Sequence, residues 1–276
     1  MTKEEYIRTQ LESHYEYLTS LGYRVVGVFL QGSQNYNLDI YEKDYMSDID
    51  TKCIVLPTLR DLIEGNKMTS TKYDFEGGQI DVKDIRMMME MWKKQNQSYL
   101  EILYTDYKII NPRYESYMND ILNMCDDIVK LNPPQLARCI NGMSEEKVVA
   151  LENVSPATKE KIEKYQYDPK QLASIIRLTH LIKNLFERGE SFKRAIWYED
   201  KLRDYMIDIK KGNVSLIEAR KLANIYNSKT NMIKERVVKR LGKDNFNNDI
   251  YAVLKKKVYS LVKFGIAYSV VNNIDN

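Results

Sequence analysis

Apolar and polar positions run through this chain with two different periods. The first third switches between them, and the rest keeps one. At the start Tyr6, Ile7, Leu11, Tyr15 and Leu18 recur at helical spacing. Thr2-Lys3-Glu4-Glu5 ahead of them is a capping-box pattern, and Gly22 is a natural helix stop. Residues 23–31, YRVVGVFLQ, are β-branched and aromatic and predict a buried strand that ends at Gly32-Ser33. Residues 34–46 are polar and tyrosine-rich and predict a helical turn plus loop. SDIDTKCIVLP predicts a second strand, closed by Pro57. TLRDLIEGN predicts a short helix ending at Gly65. TKYDFEGGQIDVKDI predicts a hairpin turning at Gly77-Gly78.

From Arg86 to about Tyr107 the period is helical, and after Asn132-Pro133-Pro134 it stays helical. In YDPKQLASIIRLTHLIKNLFERGE, Asp168 is an N-cap and Pro169 suits the first helical position. Leu172, Ile175, Ile176, Thr179, Ile182 and Phe186 form its apolar stripe, and Gly189 ends it. SLIEARKLANIYNSKTNMIKERV and NDIYAVLKKKVYSLVKF predict two further helices. The expected architecture is an α/β (α+β) domain with a small mixed sheet over residues 1–130, then an all-helical domain over 131–276.

Composition narrows the function only by exclusion. With 42 basic against 39 acidic residues, the net charge of +3 is too balanced for a nucleic-acid coat. Cys53, Cys125 and Cys139 are odd in number and widely spaced, which argues against a disulfide framework or a cysteine zinc site. With two histidines, a histidine metal site or a Ser-His-Asp triad is not expected. The charged N-terminus lacks the apolar core of a signal peptide, and no run is apolar enough to span a bilayer. A cytoplasmic protein without membrane partners is expected.

The chemistry concentrates at the strand mouths. Side chains at i and i+2 of a strand share a face, roughly 6.5–7 Å apart. Asp48 and Asp50 therefore point one way while Ile49 enters the core. Two parallel carboxylates must meet water, a basic partner or a cation. Gly32 permits a tight turn and close backbone approach, and Ser33 follows it where phosphate can be held; a plain strand-to-helix turn is the alternative. In GGQIDVKDI, Asp81 and Lys83 share a face while Ile80 and Val82 take the other. Asp81 either joins Asp48 and Asp50 from the next strand or forms a salt bridge with Lys83.

The Gly-Ser turn, the SDID strand opening and a single aspartate on a following strand together resemble the nucleotidyltransferase superfamily of DNA polymerase β type. VKDIRMMMEMWKKQNQSYLEIL and DPKQLASIIRL are similar to segments of that superfamily's predicted nucleotidyltransferases of bacteria and phages. The resemblance implies Gly32, Ser33, Lys170 and Arg177 for the nucleoside triphosphate. It implies Asp48, Asp50 and Asp81 as catalytic metal ligands, with Asp81 also able to act as a base. Two Mg²⁺ ions, or Mn²⁺, would serve transfer of a nucleoside monophosphate to a hydroxyl of RNA or tRNA, a protein or a small molecule, releasing pyrophosphate. A nucleotide-binding or protein-interaction module without turnover is the alternative.

Two departures stand out. The loop from Ser33 to Asp48 is long, and Gln171 and Ser174 stand where histidines often occur. Lys170 and Arg177 lie two turns apart on one helix side, where a solvated pair is also usual. Met87, Met88, Met89, Met91 and Trp92 read as core. Tyr36, Tyr41 and Tyr45 read as loop packing before base stacking. Glu101 resembles a recurrent glutamate and is expected to brace its helix against a basic partner.

Overall fold

The first helix, α1 (Lys3–Ser20), begins as its capping box requires. Thr2 accepts from the Glu5 amide, and the Glu5 carboxylate accepts from the Thr2 amide at 2.6 Å. In the computed structural model, which describes residues 2–42, 45–156, 158–272 and 274, α1 leads into β1 (Val25–Gln31) and a 3₁₀ turn at Ser33–Tyr36. A two-residue ladder follows, β2 (Tyr41–Glu42) with β3 (Tyr45–Met46). Next come β4 (Asp50–Val55), the capped helix α2 (Leu59–Ile63), and the hairpin β5 (Ser70–Phe75) and β6 (Gly78–Asp84).

The long helical run expected from Arg86 is broken in two. Helix α3 (Ile85–Lys93) ends before Gln95, which takes a left-handed φ of 55°. The buried Gln95 side chain donates from Nε2 to Trp92 O and Ile128 O, and Asn96 then caps α4 (Gln97–Leu100). A 3₁₀ turn, Glu101–Tyr104, leads to β7 (Lys108–Ile110), a strand too short for its pattern to be read.

The sheet has the order β5-β6-β4-β1-β7. Only β4 and β6 run parallel, so the sheet is small and mixed as expected. One face meets α1: Val28, Leu30, Cys53, Val55, Ile80 and Val82 form a core with Ile7, Leu11 and Leu18.

Helices α5 (Glu115–Leu122) and α6 (Cys125–Val129) complete this stretch, which gives way at Asn132-Pro133 to α7 (Pro133–Ala150), α8 (Lys159–Tyr165), α9 (Pro169–Phe186), α10 (Phe192–Ile196), α11 (Asp200–Lys210), α12 (Leu216–Leu241) and α13 (Asn248–Val271). The chain separates into two compact units. One comprises residues 1–35, 41–131 and 247–276; the other comprises 36–40 and 132–246.

The helical stretch expected as one domain from 131 to 276 is thus divided. Helix α13 packs on α3, α5 and α6 through buried Leu254, Val258 and Leu261. It runs so close that a Cβ on Gly265 would lie 2.3 Å from Leu56 Cδ1.

In the helical unit, α7, α9 and α12 share a core. Asp168 caps α9 at the Lys170 amide (2.9 Å), with Pro169 next, as the sequence predicts. The buried face of α9 is wider than the expected stripe, adding Ala173, Leu178 and Leu181, while Phe186 is half-buried. Thr179 and Thr230 bridge α9 and α12 at 2.7 Å. Residues 36–40 are tied to this unit through their own backbone. Tyr36 O accepts from the Tyr198 amide, Asn37 O from Arg203 Nε at 2.9 Å, and Leu38 O from Lys210. No helix among the described residues is long and apolar enough to cross a membrane.

Candidate functional site

The antiparallel pairing of β1 with β4 sets Gln31 opposite Asp50. Gly32-Ser33 leaves β1 one residue beyond Gln31, and Ile49 and Asp48 precede Asp50, so turn and aspartates meet at one end of the sheet. The Gln34 side chain ties them, its Nε2 donating to Asp48 O at 2.9 Å. Gly32 has φ +96° with nothing within 4 Å of an added Cβ, so its backbone conformation, rather than crowding, requires glycine.

Asp48 lies before β4 and is exposed; Asp50 opens the strand and is half-buried. Ile49 between them enters the core at 2 % exposure, as strand parity predicts. Its amide donates to Gly77 O at 2.7 Å, and a Cβ on Gly78 would lie 2.1 Å from Ile49 O. The β5–β6 turn therefore grips the backbone between the two aspartates. Glu76 and Gly77 form that turn, while Gly78 already pairs with Phe75 and is needed for close approach. Asp50 Oδ1 accepts from the Gln79 amide at 3.0 Å.

Asp81 lies on the neighbouring parallel strand, its Cα opposite Lys52, on the same face as Asp50. Its Oδ2 accepts a hydrogen bond, while Oδ1 has an ion-pair neighbour without hydrogen-bond geometry. Lys52 Nζ is 2.7 Å from Oδ2 and Lys83 Nζ is 2.7 Å from Oδ1. The pair with Lys83 is the sequence alternative; Lys52 is an addition. Lys52 also lies 4.1 Å from the centre of the Tyr99 ring, and Lys83 donates to Ser70 Oγ at 2.7 Å. Burial pushes the Asp81 carboxyl up, but the two ammonium groups outweigh it and hold the carboxyl below its usual value. Burial pushes Lys52 down, with Asp81 opposing.

Glu101, 3 % exposed, accepts from the Gly32 amide at 3.1 Å and from Gln97 Nε2 at 2.8 Å. It fixes the Gly-Ser turn, a role that motif similarity alone did not assign. Tyr36 is buried, and Tyr41 is exposed with its ring 6.4 Å from that of Tyr6; the Tyr45 side chain lies outside the described residues. Met88, Met89 and Trp92 are buried as read, while Met87 and Met91 are only half-buried.

Lys170 and Arg177 belong to the helical unit. Lys170 is exposed on the first turn of α9. Arg177 is half-buried with its guanidinium 4.3 Å from the Tyr36 ring centre. Gln171 donates to the Asp168 carboxylate (3.4 Å) and Ser174 to Lys170 O (2.8 Å), so both serve the helix. His180 sits between Tyr198 and Tyr226, with its pKa lowered to about 4 by burial, then by Lys183, Arg188 and Lys229.

The donor chemistry tests the metal expectation. Asp48 and Asp50 carry the carboxylate oxygens that a hard divalent cation takes. Asp81, with an ammonium on each oxygen, does not fit as a third ligand. Among the described residues, no three His, Cys, Asp or Glu side chains form a group able to hold a metal.

No protein-family profile matches the chain, and no curated protein matches it. Among solved structures, a nucleotidyltransferase-like protein from Exiguobacterium sibiricum is similar at 11 % identity and a TM-score of 0.27, over 94 % of this chain and 91 % of that one. So loose a superposition leaves function to this chain's own residues.

Proposed function

We propose that the chain is a nucleotidyltransferase that moves a nucleoside monophosphate from a nucleoside triphosphate to a hydroxyl. The acceptor oxygen forms a bond to the α-phosphorus, the bond from that phosphorus to the β-phosphate bridge breaks, and pyrophosphate leaves. The observation that carries this reading is the Gln31–Asp50 register, which joins the Gly32-Ser33 turn to Asp48 and Asp50 at one sheet end.

Gly32 and Ser33 would seat the phosphates beside the turn that Glu101 holds. Asp48 and Asp50 would hold Mg²⁺ or Mn²⁺, which when bound polarises phosphate oxygen and offsets its charge. Asp81, kept ionised by Lys52 and Lys83, is a poor proton acceptor and is assigned none of this chemistry.

The ion-paired oxygens of Asp81 specifically favour a second reading, a nucleotide-binding module without turnover. One experiment separates the two. Each α-labelled triphosphate is incubated with Mg²⁺ and with RNA, protein and metabolite pools, while binding of the same nucleotides is measured by calorimetry. Label transfer that is lost in Asp50→Asn supports the transferase. Binding without transfer in any pool leaves the module. Neither binding nor transfer rejects both.

A further inference from the structure

Three lysines on three adjacent strands flank Asp81. Lys52 and Lys83 each hold an oxygen of Asp81 at 2.7 Å, with side-chain exposures of 3 % and 8 %. Lys72 on β5 is the Cα partner of Asp81 from the other side. Alternation along the three strands puts all of these on the face that carries Asp50. A divalent ion drawn to Asp81 would have to displace an ammonium that is buried and already neutralised, and would then face that like charge at close range. A cation site needs surplus negative charge, and two ammonium groups already meet the single Asp81 carboxylate.

We propose that Lys52 is the standing counter-charge of Asp81, a positioning residue in the place where a second divalent ion would otherwise sit, and that the sheet end takes a single divalent ion through Asp48 and Asp50. Lys52 follows Asp50 by two residues and shares its face. It joins β4 to β6 through an ion pair at the level just inside the site, and Tyr99 covers it. The strand mouth is held in shape before any ion arrives. The proposal rests on the nucleotide-site reading above.

The test counts ions. Free Mn²⁺ is titrated into the full chain with a non-hydrolysable triphosphate analogue and followed by electron paramagnetic resonance, with the analogue alone as control. One Mn²⁺ per chain is expected beyond the control. It should be lost in Asp50→Asn. It should be retained in the paired variant Lys52→Met with Asp81→Asn, with affinity shifted by less than about tenfold. That paired variant removes a buried charge and its partner together, a change such sites often tolerate; circular dichroism checks its fold. Lys52→Arg, which keeps the charge, should match the wild type. Two Mn²⁺ per chain, falling to one in the paired variant, overturns this proposal and leaves the nucleotide site intact. No Mn²⁺ beyond the control overturns both.

Discussion

The two faces of the five-stranded sheet are built from the same strands to opposite specifications. Toward α1, Val28, Leu30, Cys53, Val55, Ile80 and Val82 make an apolar layer that also holds buried His14 and Thr51, with His14 Nδ1 2.8 Å from Thr51 Oγ1. On the other face, Asp50, Lys52, Asp81 and Lys83 stand on adjacent strands β4 and β6, and three of these four are buried. The first face needs only volume and shape. The second has its geometry dictated by charge, because each buried ion must be met by a partner. Functional groups at a sheet end can rest on the second kind of face only if that charge arrangement is already satisfied.

The largest effect is expected from Asp81→Ala. It strands Lys52 and Lys83 without their carboxylate and should cost about 3–5 kcal/mol in urea unfolding at neutral pH. The carboxyl is held below its usual value, so its contribution is present above the unfolded pKa of about 3.9 and is lost as pH falls through the folded value. Wild type and variant should therefore converge only in strong acid. A cost below about 1 kcal/mol would mean the charged face is hydrated and the contrast with the α1 face is false.

On the apolar face the corresponding probe is His14. Burial lowers its pKa to about 4 against an unfolded value near 6.5. Between those values the unfolded chain binds more protons, so stability falls as pH drops through that window. By pH 5 the loss at His14 should be about 2 kcal/mol. His14→Gln should flatten that slope in unfolding curves taken from pH 7 to 5. His180, lowered to about 4 in the helical unit, adds a slope of the same sign, so the variant pair His14→Gln and His180→Gln separates the units. An unchanged slope in both variants would place the acid sensitivity elsewhere.

What the sequence shows of this fold follows the range of the forces involved. The capping box at Thr2, the Asp168-Pro169 start of α9 and the inward turn of Ile49 depend on residues a few positions apart, and all are readable. The pairing of Asp81 with Lys83 follows from strand parity. The same parity, carried two residues beyond Asp50, puts Lys52 on the charged face, but only the β4–β6 register sets it opposite Asp81. The break at Gln95 needs Ile128 as a distant acceptor, Gly78 needs the Ile49 backbone, and α13 needs a surface formed by α3, α5 and α6. Local pattern says nothing of such partners, which is why the residues touching the turn and the aspartates from elsewhere in the chain were the ones missed.

Glu101 offers the smallest and most local test of that lesson. Its carboxylate reaches Gly32 from 69 residues away in sequence, as a charged acceptor for a backbone amide at the mouth of the charged face. Glu101→Gln keeps the shape and an acceptor oxygen but removes the charge, so the hydrogen bond weakens without a cavity forming. A loss of about 1 kcal/mol is expected. The sharper readout is hydrogen exchange at the Gly32 amide, which should quicken while amides in the α1-facing core, such as Val28, keep their rates. If Gly32 and Val28 quicken together, Glu101 supports the whole sheet rather than the turn. If only Gly32 responds, the turn beside Asp50 is held by one buried carboxylate, and changing that carboxylate should alter nucleotide affinity without altering the fold.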